Sequence, residues 1–553
     1  MRRFLLPLIL LLAFLFRIVS VTQYPVGFNA DEASFGYDAY SILHTGRDQW
    51  GRFMPLVLKS FGDYKSPLYA YLTIPSVEIF GLTKLAVRLP NVILGTLAIF
   101  AVFLLSNELV KKKFGLWNLP FGIFPAFLLS LNPWAVMMSR GAFEANLITL
   151  FLPLGVYFFL KATNSSKYLK YYTLASLSFG LSLFSYHSAK LITPIVIVGL
   201  IIIFWKKIRV LDIRKIIIPV LIISIFAFLT IYTFSIGGGS RISERSITQG
   251  ALEEGAKAKI QLIQNGANPK LAKFFHNKYQ VVAQRFVLNY FQYFSGKFLV
   301  TQGSSDSYYG MFPGIGVIYL FETFLLFGLV PYFLMKNEKT TVLLIVLWLL
   351  VAPLPAALST GAGYSGNRAE GMIPILQILE SFGFIGWVTI LNRYNHIFLK
   401  VFSILLGIAI ILNVENFVKS YIQKIPQSSY TQMLDGNLEA ARWINQNESG
   451  KDVIISRSFS EPQIFFAFAN IWNPSSYQDD TKSWDLVGSQ VSWVDQLPEY
   501  KLGNYTIKSV DWKKDIKKGV VIVGRPDDFP ASYIPDMIFY YSNGQPSLYV
   551  KNY

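Results

Sequence analysis

Cysteine is absent from the 553 residues, histidine occurs only four times, and just 15% of the chain is charged. The first absence excludes disulfides and thiolate metal sites and fits a functional surface outside the cytoplasm. The scarcity of histidine leaves little for imidazole-based metal chemistry, and no Asp-x-Asp motif takes its place. The low charge accompanies 53% hydrophobic and 16% aromatic residues, far from the composition of an average soluble domain. A mostly α-helical, polytopic membrane protein is therefore expected.

Apolar runs long enough for a ~30 Å hydrocarbon core fall at 4–21, 85–110, 116–131, 147–160, 172–184, 191–205, 216–236, 315–335, 341–358, 373–391 and 397–414. They predict about 11 transmembrane helices. The first follows Arg2 and Arg3 as a signal peptide would, yet no small-residue cleavage site comes before the charged loop, so it reads as a retained helix. Lys and Arg collect in the short connections at 111–113, 161–170, 206–215, 336–339 and 392–395. The positive-inside rule then predicts a cytoplasmic N-terminus and an extracytoplasmic C-terminus.

Net charge is +17, but residues 420–553 carry 13 basic and 15 acidic side chains, so the whole excess lies in the first 419. Much of it sits in those short loops, which argues against a nucleic-acid partner and for the bilayer. The chain divides into a membrane domain, 1–419, and a soluble domain, 420–553, expected on the extracytoplasmic side. Two long loops on that side, about 22–84 and about 237–313, are long enough to fold. In the tail, 453–456, 464–468 and 520–523 read as strands and 438–445 as a helix, a small α/β domain. Gly237, Gly238 and Gly239 together with the polar stretch 251–270 read as a flexible loop, either a lid or a plain connector.

The first long loop carries the densest chemistry. Asp31, Glu32, Asp38, Asp48, Asp63, Arg47, Arg52 and Lys65 lie just beyond the first span, where charge requires an interface or a wet cavity. Asn29 as N-cap, Glu32 three residues on and Gly46 as a stop predict a helix over about 30–44. Asp31, Ser34, Asp38, Ser41 and Thr45 would share one stripe of an amphipathic helix lying along the membrane surface. The cap explains Glu32. It does not explain Asp31, which points about 100° away and whose alternative role is a dipole-stabilising first-turn carboxylate.

An acidic pair after the first span, then Lys65-Ser66-Pro67-Leu68-Tyr69 and Ala86-Val87-Arg88-Leu89-Pro90, resembles the polyprenyl-phosphate-dependent glycosyltransferases of fold type C. Within them it resembles the protein O-mannosyltransferase and aminoarabinose-transferase branch and is similar to glycosyltransferase family 39. Ser139–Glu144, Ser185–Ala189, Pro353–Leu358 and Asn367-Arg368 agree with that pattern, so the resemblance spans roughly 1–415.

The resemblance implies transfer of a sugar from a polyprenyl-phosphate carrier to an acceptor hydroxyl on a protein, lipid or polysaccharide, at the outer face of a bacterial or archaeal membrane. It makes Asp31 and Glu32 the catalytic candidates, with Asp31 matching the family's base. Phosphate is a good leaving group, so positive charge suffices at the donor, and Lys65, Arg140 and Arg368 are candidates to hold it. Asp63, Glu144 and His187 are possible supports. One base and one displaced phosphate predict inversion.

Asp63 stands two positions before Lys65, where the aminoarabinose branch has Glu directly before Lys. Together with the missing Asp-x-Asp motif, this departure leaves metal use and the headgroup open, a divalent metal being possible.

Plainer readings stand beside these. Arg88 and Arg140 can anchor helix ends at lipid phosphates, Glu144 can pair with Arg140 across one helical turn, and His187 can be an ordinary interfacial histidine. Arg368 can be structural, and Tyr186, Tyr308, Tyr309 and Trp387 can be belt aromatics. The competing function is a transporter or flippase of a lipid-linked sugar, which would place charges or helix breaks in mid-span. The spans themselves read as nearly free of charge, which favours an enzyme.

Overall fold

The computed structural model describes residues 4–110, 119–239, 246–305, 309–311, 313–335, 339–360 and 364–553. The chain is mostly helical, with one six-stranded sheet at its C-terminal end. Among the described residues, six helices are long and apolar enough to cross a membrane: Lys84–Leu109, Glu144–Ala162, Ile216–Gly238, Lys339–Ala357, Gly366–Tyr394 and His396–Gln423. Shorter apolar helices occupy Leu5–Ile18, Leu68–Phe80, Ala189–Ile203 and Leu320–Leu334. The expected run 116–131 is helical over Ile123–Leu131 and stops at Asn132, whose side chain accepts from Ala135 N and starts a new short helix, Pro133–Met138. Asn132 interrupts the turn because it offers the backbone a competing acceptor.

The site depends on four helices, α1 (Leu5–Ile18), α2 (Ala30–Thr45), α3 (Leu68–Phe80) and α4 (Lys84–Leu109), and on a two-stranded hairpin, β1 (Leu58–Lys59) with β2 (Tyr64–Lys65). Helix α2 forms for the reasons its sequence suggests. Asn29 Oδ1 accepts from Glu32 N at 2.8 Å, Glu32 Oε2 accepts from Asn29 N at 3.4 Å, and Gly46 ends the helix at φ 68°. It does not lie open on a membrane surface, however. Most of α2 is buried, packed against α3, α4 and the tail. Its polar stripe faces protein: Gln49 Nε2 donates to Ser34 Oγ and Asp38 Oδ2, and Gln478 Nε2 from the tail donates to Ser41 Oγ at 3.0 Å. Helix α3 was hidden in the expected first loop, its apolar run being too short for a bilayer and broken by Pro75.

In the tail, strands β3 (Asp452–Ser456), β4 (Glu499–Leu502), β5 (Tyr505–Lys508), β6 (Val520–Gly524), β7 (Met537–Tyr540) and β8 (Pro546–Asn552) form a sheet in the order β4-β5-β3-β6-β8-β7. The central strand β3 runs parallel to β5 and β6, and the remaining pairs are antiparallel. The expected strand at 464–468 is instead the helix Pro462–Ala469. Its Phe465, Phe466, Ala467 and Phe468 are all buried, and an apolar run buried all round has no period by which to tell strand from helix.

The expected flexible stretch 251–270 is also structured, as helices Ala251–Gln264 and Pro269–Phe275 followed by Lys278–Gln292. Nor is the glycine run slack. Gly237 has φ 108°, and a Cβ on it would meet the Tyr64 ring at 2.3 Å. The spans carry more ionisable side chains than expected too. Glu322 and Glu380 are fully buried in apolar helices, and among the described residues neither oxygen of Glu380 has a hydrogen-bond partner.

Candidate active site

Glu32 and Arg88 lock the start of α2 in place. Arg88 Nε meets Glu32 Oε1 and Nη2 meets Oε2, both at 2.8 Å, with both side chains fully buried. The guanidinium also donates to the carbonyls of Val21, Pro25 and Gly27, and Ala142 N donates to Glu32 Oε1 at 2.9 Å. Arg88 is therefore no anchor for lipid phosphates. It ties the segment after α1, the start of α2 and the turn before Glu144 to α4.

With Glu32 fixed inward, its neighbour Asp31 points elsewhere. The Asp31 side chain is 30% exposed and takes Lys65 Nζ at 3.2 Å, while the Lys65 side chain is 0% exposed. The ammonium also lies 4.4 Å from the centre of the Phe35 ring and 5.6 Å from that of Phe61, contacts that favour a cation. Hairpin pairing between β1 and β2 delivers Lys65, and Asp63 sits buried in the same hairpin. The hairpin is braced from behind. His187 Nε2 bonds the Tyr64 carbonyl at 3.1 Å, which makes Nε2 the protonated nitrogen, and Arg52 donates to Tyr64 Oη at 3.0 Å. His187 thus supports Lys65 through its neighbour.

Three other expected residues lie apart from this pair. Arg140 is buried and donates to the carbonyls of Phe16, Arg17, Val19 and Tyr24, clamping the end of α1. The backbone between Arg140 and Glu144 is not helical, with Phe143 extended at φ −101°, ψ 100°, so the two are not one helical turn apart. Glu144 itself is buried at the start of the turn Glu144–Leu147. Arg368 donates to Thr360 O at 3.2 Å and lines a separate polar cavity of about 260 Å³ with Arg285, Asn289, Gln292 and Tyr293.

The tail adds residues that no local pattern marked. Val494 N donates to Phe61 O at 2.7 Å, and a Cβ on Gly62 would lie 2.5 Å from Ser492 O, so the tail loop rests directly on the hairpin. This contact brings Glu461 and Asp495 to the same region. Burial, then Asp495, and more weakly Asp31 and Asp63, push the Glu461 carboxyl up to about 8. Under α2, burial raises both Asp38 and Asp48, and their mutual repulsion adds to the shift at Asp38. Among the described residues no three His, Cys, Asp or Glu side chains form a group that could hold a metal ion.

Residues 64–234 match the family described as dolichyl-phosphate-mannose-protein mannosyltransferase. The match includes Lys65 and the Lys65–Tyr69 segment and begins after Asp31. No curated protein matches the chain by sequence. Among solved structures, the chain is similar to ArnT from Cupriavidus metallidurans bound to undecaprenyl phosphate. The two share 12% identity over 99% of this chain and 97% of that one, with a TM-score of 0.55. It is also similar to the archaeal oligosaccharyltransferase AglB from Archaeoglobus fulgidus, in complex with an inhibitory peptide and a dolichol-phosphate. There the identity is 14%, the coverage 94% of this chain and 69% of that one, and the TM-score 0.52. These likenesses show the fold, and with the family match they bear out the resemblance seen in the sequence.

Proposed function

We propose that the protein is a membrane glycosyltransferase that moves a sugar from a polyprenyl-phosphate carrier to an acceptor hydroxyl at the extracytoplasmic face, with Asp31 as general base. The observation that carries this reading is the Asp31–Lys65 pair, a part-exposed carboxylate beside a lysine whose stem is wholly buried. The matched family's lipid-phosphate sugar donor and the phosphate-bound polyprenols of the two similar structures support it.

In the reaction the acceptor oxygen attacks the anomeric carbon and its proton passes to Asp31. The bond from that carbon to the phosphate oxygen breaks, and its electron pair leaves on the phosphate. A single displacement inverts the anomeric centre. In this reading Lys65, whose ammonium holds Asp31 at 3.2 Å, shares its charge with the leaving phosphate. Arg368, which donates to Thr360 O, is a second cation for the carrier. Arg140 drops out of that role because its terminal nitrogens are taken up by four carbonyls. Asp63 and His187 act by shaping the hairpin.

The test is turnover by the purified protein in liposomes, using radiolabelled hexoses and pentoses linked to undecaprenyl phosphate or dolichyl phosphate. A new glycosylated product formed by the wild type and lost in Asp31→Asn supports the enzyme. Passage of the labelled lipid across the bilayer with no product overturns it in favour of a transporter.

A further inference from the structure

The sheet of the tail carries a cleft that the Asp31–Lys65 pair does not use. Strand β3 has β5 on one side and β6 on the other, both parallel to it, so the chain leaves β3 towards one edge of the sheet and returns on the opposite side. Such a reversal is a topological switch point, and in an open α/β sheet it opens a crevice beyond the carboxyl ends of the strands, where ligands bind. The crevice is present here. Ser456 at the end of β3, Arg457 and Ser458 behind it, Ser509 directly after β5 and Asp528 shortly past β6 line a cavity of about 470 Å³, and Asp495 enters it from the loop before β4. That volume falls within the range of roughly 300–1,000 Å³ found for small-molecule sites.

The polar groups of the cleft are held in place without being used up. Arg457 Nε and Nη2 donate to Ser509 Oγ at 3.2 and 2.6 Å, and Nη1 donates to Leu497 O at 3.2 Å. These are three of the five N–H groups of a guanidinium, which leaves donors open to a ligand. Ser509 Oγ accepts from Arg457, and its own hydrogen has no acceptor among the described residues. Asp528 Oδ2 takes Ser458 Oγ and, at 2.7 Å, Arg525 N, while its Oδ1 accepts no hydrogen bond among the described residues. Trp512 Nε1 fixes that turn by donating to the Asp528 carbonyl at 2.9 Å.

Charge decides what fits. Arg457 shares the cleft with Asp495 and Asp528. A phosphate would face both carboxylates and a metal ion or ammonium would face the guanidinium, and like charges set against each other cost affinity. An uncharged ligand rich in hydroxyls meets neither penalty. Each hydroxyl both donates and accepts, so it can take a hydrogen from Arg457 or Ser509 and give one to Asp528. We propose that this switch-point cleft is a binding site for an uncharged saccharide, separate from the pair that carries the transfer chemistry. Val494, next to Asp495, donates to Phe61 O of the hairpin at 2.7 Å, so a glycan seated in the cleft is held beside the hairpin. The site goes beyond the transferase reading and stands without it, because it needs only the residues of the tail.

Saturation-transfer NMR on the full-length protein in lipid nanodiscs tests it, with no glycoside detergent present to compete. The probes are maltotriose, mannotriose and galactotriose, with trigalacturonate and inorganic phosphate as charged counterparts. At least one neutral trisaccharide should bind saturably. Ser509→Ala removes the free hydroxyl from an exposed position, and Asp528→Asn keeps an oxygen for Ser458 while turning the open acceptor into a donor. Each should raise the dissociation constant roughly three- to tenfold, compared at equal amounts of folded protein. Ser509→Ala carries the test by itself if Asp528→Asn does not fold.

Saturation transfer from none of the neutral trisaccharides overturns the site, as does binding that Ser509→Ala leaves unchanged. Tighter binding of trigalacturonate or phosphate makes the cleft an anion site and overturns the saccharide reading. An equal loss of trisaccharide binding in Asp31→Asn places the sugar in the transfer centre and overturns a separate site. Lack of turnover with every lipid-phosphate donor would end the transferase reading and leave this result standing.

Discussion

Arg88 meets Glu32 edge to edge, two nitrogens on two oxygens at 2.8 Å each, in a pocket that neither side chain leaves. The two residues are 56 positions apart, on different helices, and the pair sets the direction of the carboxylate one residue earlier in the chain.

Removing one partner of a buried ion pair leaves the other uncompensated, a loss of roughly 3–5 kcal/mol. Arg88→Ala should therefore lower the thermal midpoint sharply and reduce the folded protein recovered in detergent. Glu32→Gln should also destabilise, which a capping role by itself would not produce. A wild-type midpoint in Arg88→Ala would show the pair to be unimportant to the fold.

Asp31→Asn keeps an oxygen for Lys65 but removes both the capacity to take a proton and the negative charge beside the buried ammonium. Turnover should fall by ~10² or more at equal amounts of folded protein, and the midpoint should fall as well because Lys65 loses its counter-charge. Near-native turnover would take the base away from Asp31.

Lys65 was expected among charges at an interface or in a wet cavity. Its side chain is fully buried against Phe35 and Phe61, so Lys65→Ala should weaken both folding and donor use. Lys65→Met separates the two effects by keeping the stem. It should fold nearly as well as wild type yet lose about 1.5–3 kcal/mol of donor recognition, read as a raised donor KM. An unchanged donor requirement in Lys65→Met would move phosphate recognition towards Arg368.

Burial beneath the tail raises Asp38 and Asp48 above the ordinary carboxylate range. A raised carboxyl binds its proton more tightly in the folded state than in the unfolded one, so its contribution to stability declines as pH climbs from that range towards neutrality. Asp38→Asn should accordingly melt higher than wild type at pH 8, with the gap closing by pH 4. A gap that widens on acidification would refute the raised state.

Local signals were legible in the sequence where the physics is local. Asn29, Glu32 and Gly46 announce both ends of α2 because caps act within one turn, and Lys65 sits in a short motif that survives on the hairpin. Long-range partners left no trace. Nothing near Arg88 points to Glu32, and nothing near Glu461 points to Asp31, 430 positions earlier. The 464–468 run was misread because burial on all sides erases periodicity, whereas α2 carried its own punctuation. Arg140 looked like a phosphate ligand because an arginine beside a helix end has the same sequence signature whether its donors meet lipid or four carbonyls.

Phe28, Ala33, Phe35 and Leu58 from the first loop share one apolar core with Phe468, Ile507, Val523 and Val550 from the tail. A ribosome adding about 5–20 residues per second delivers the last of these on the order of half a minute to two minutes after the first. Throughout that interval α2 and the hairpin have left the ribosome without the surface that covers them. A chain stopped before β8 would carry the membrane helices and still lack a finished first loop, so the proposed reaction centre is among the last parts of the molecule to be completed during its synthesis.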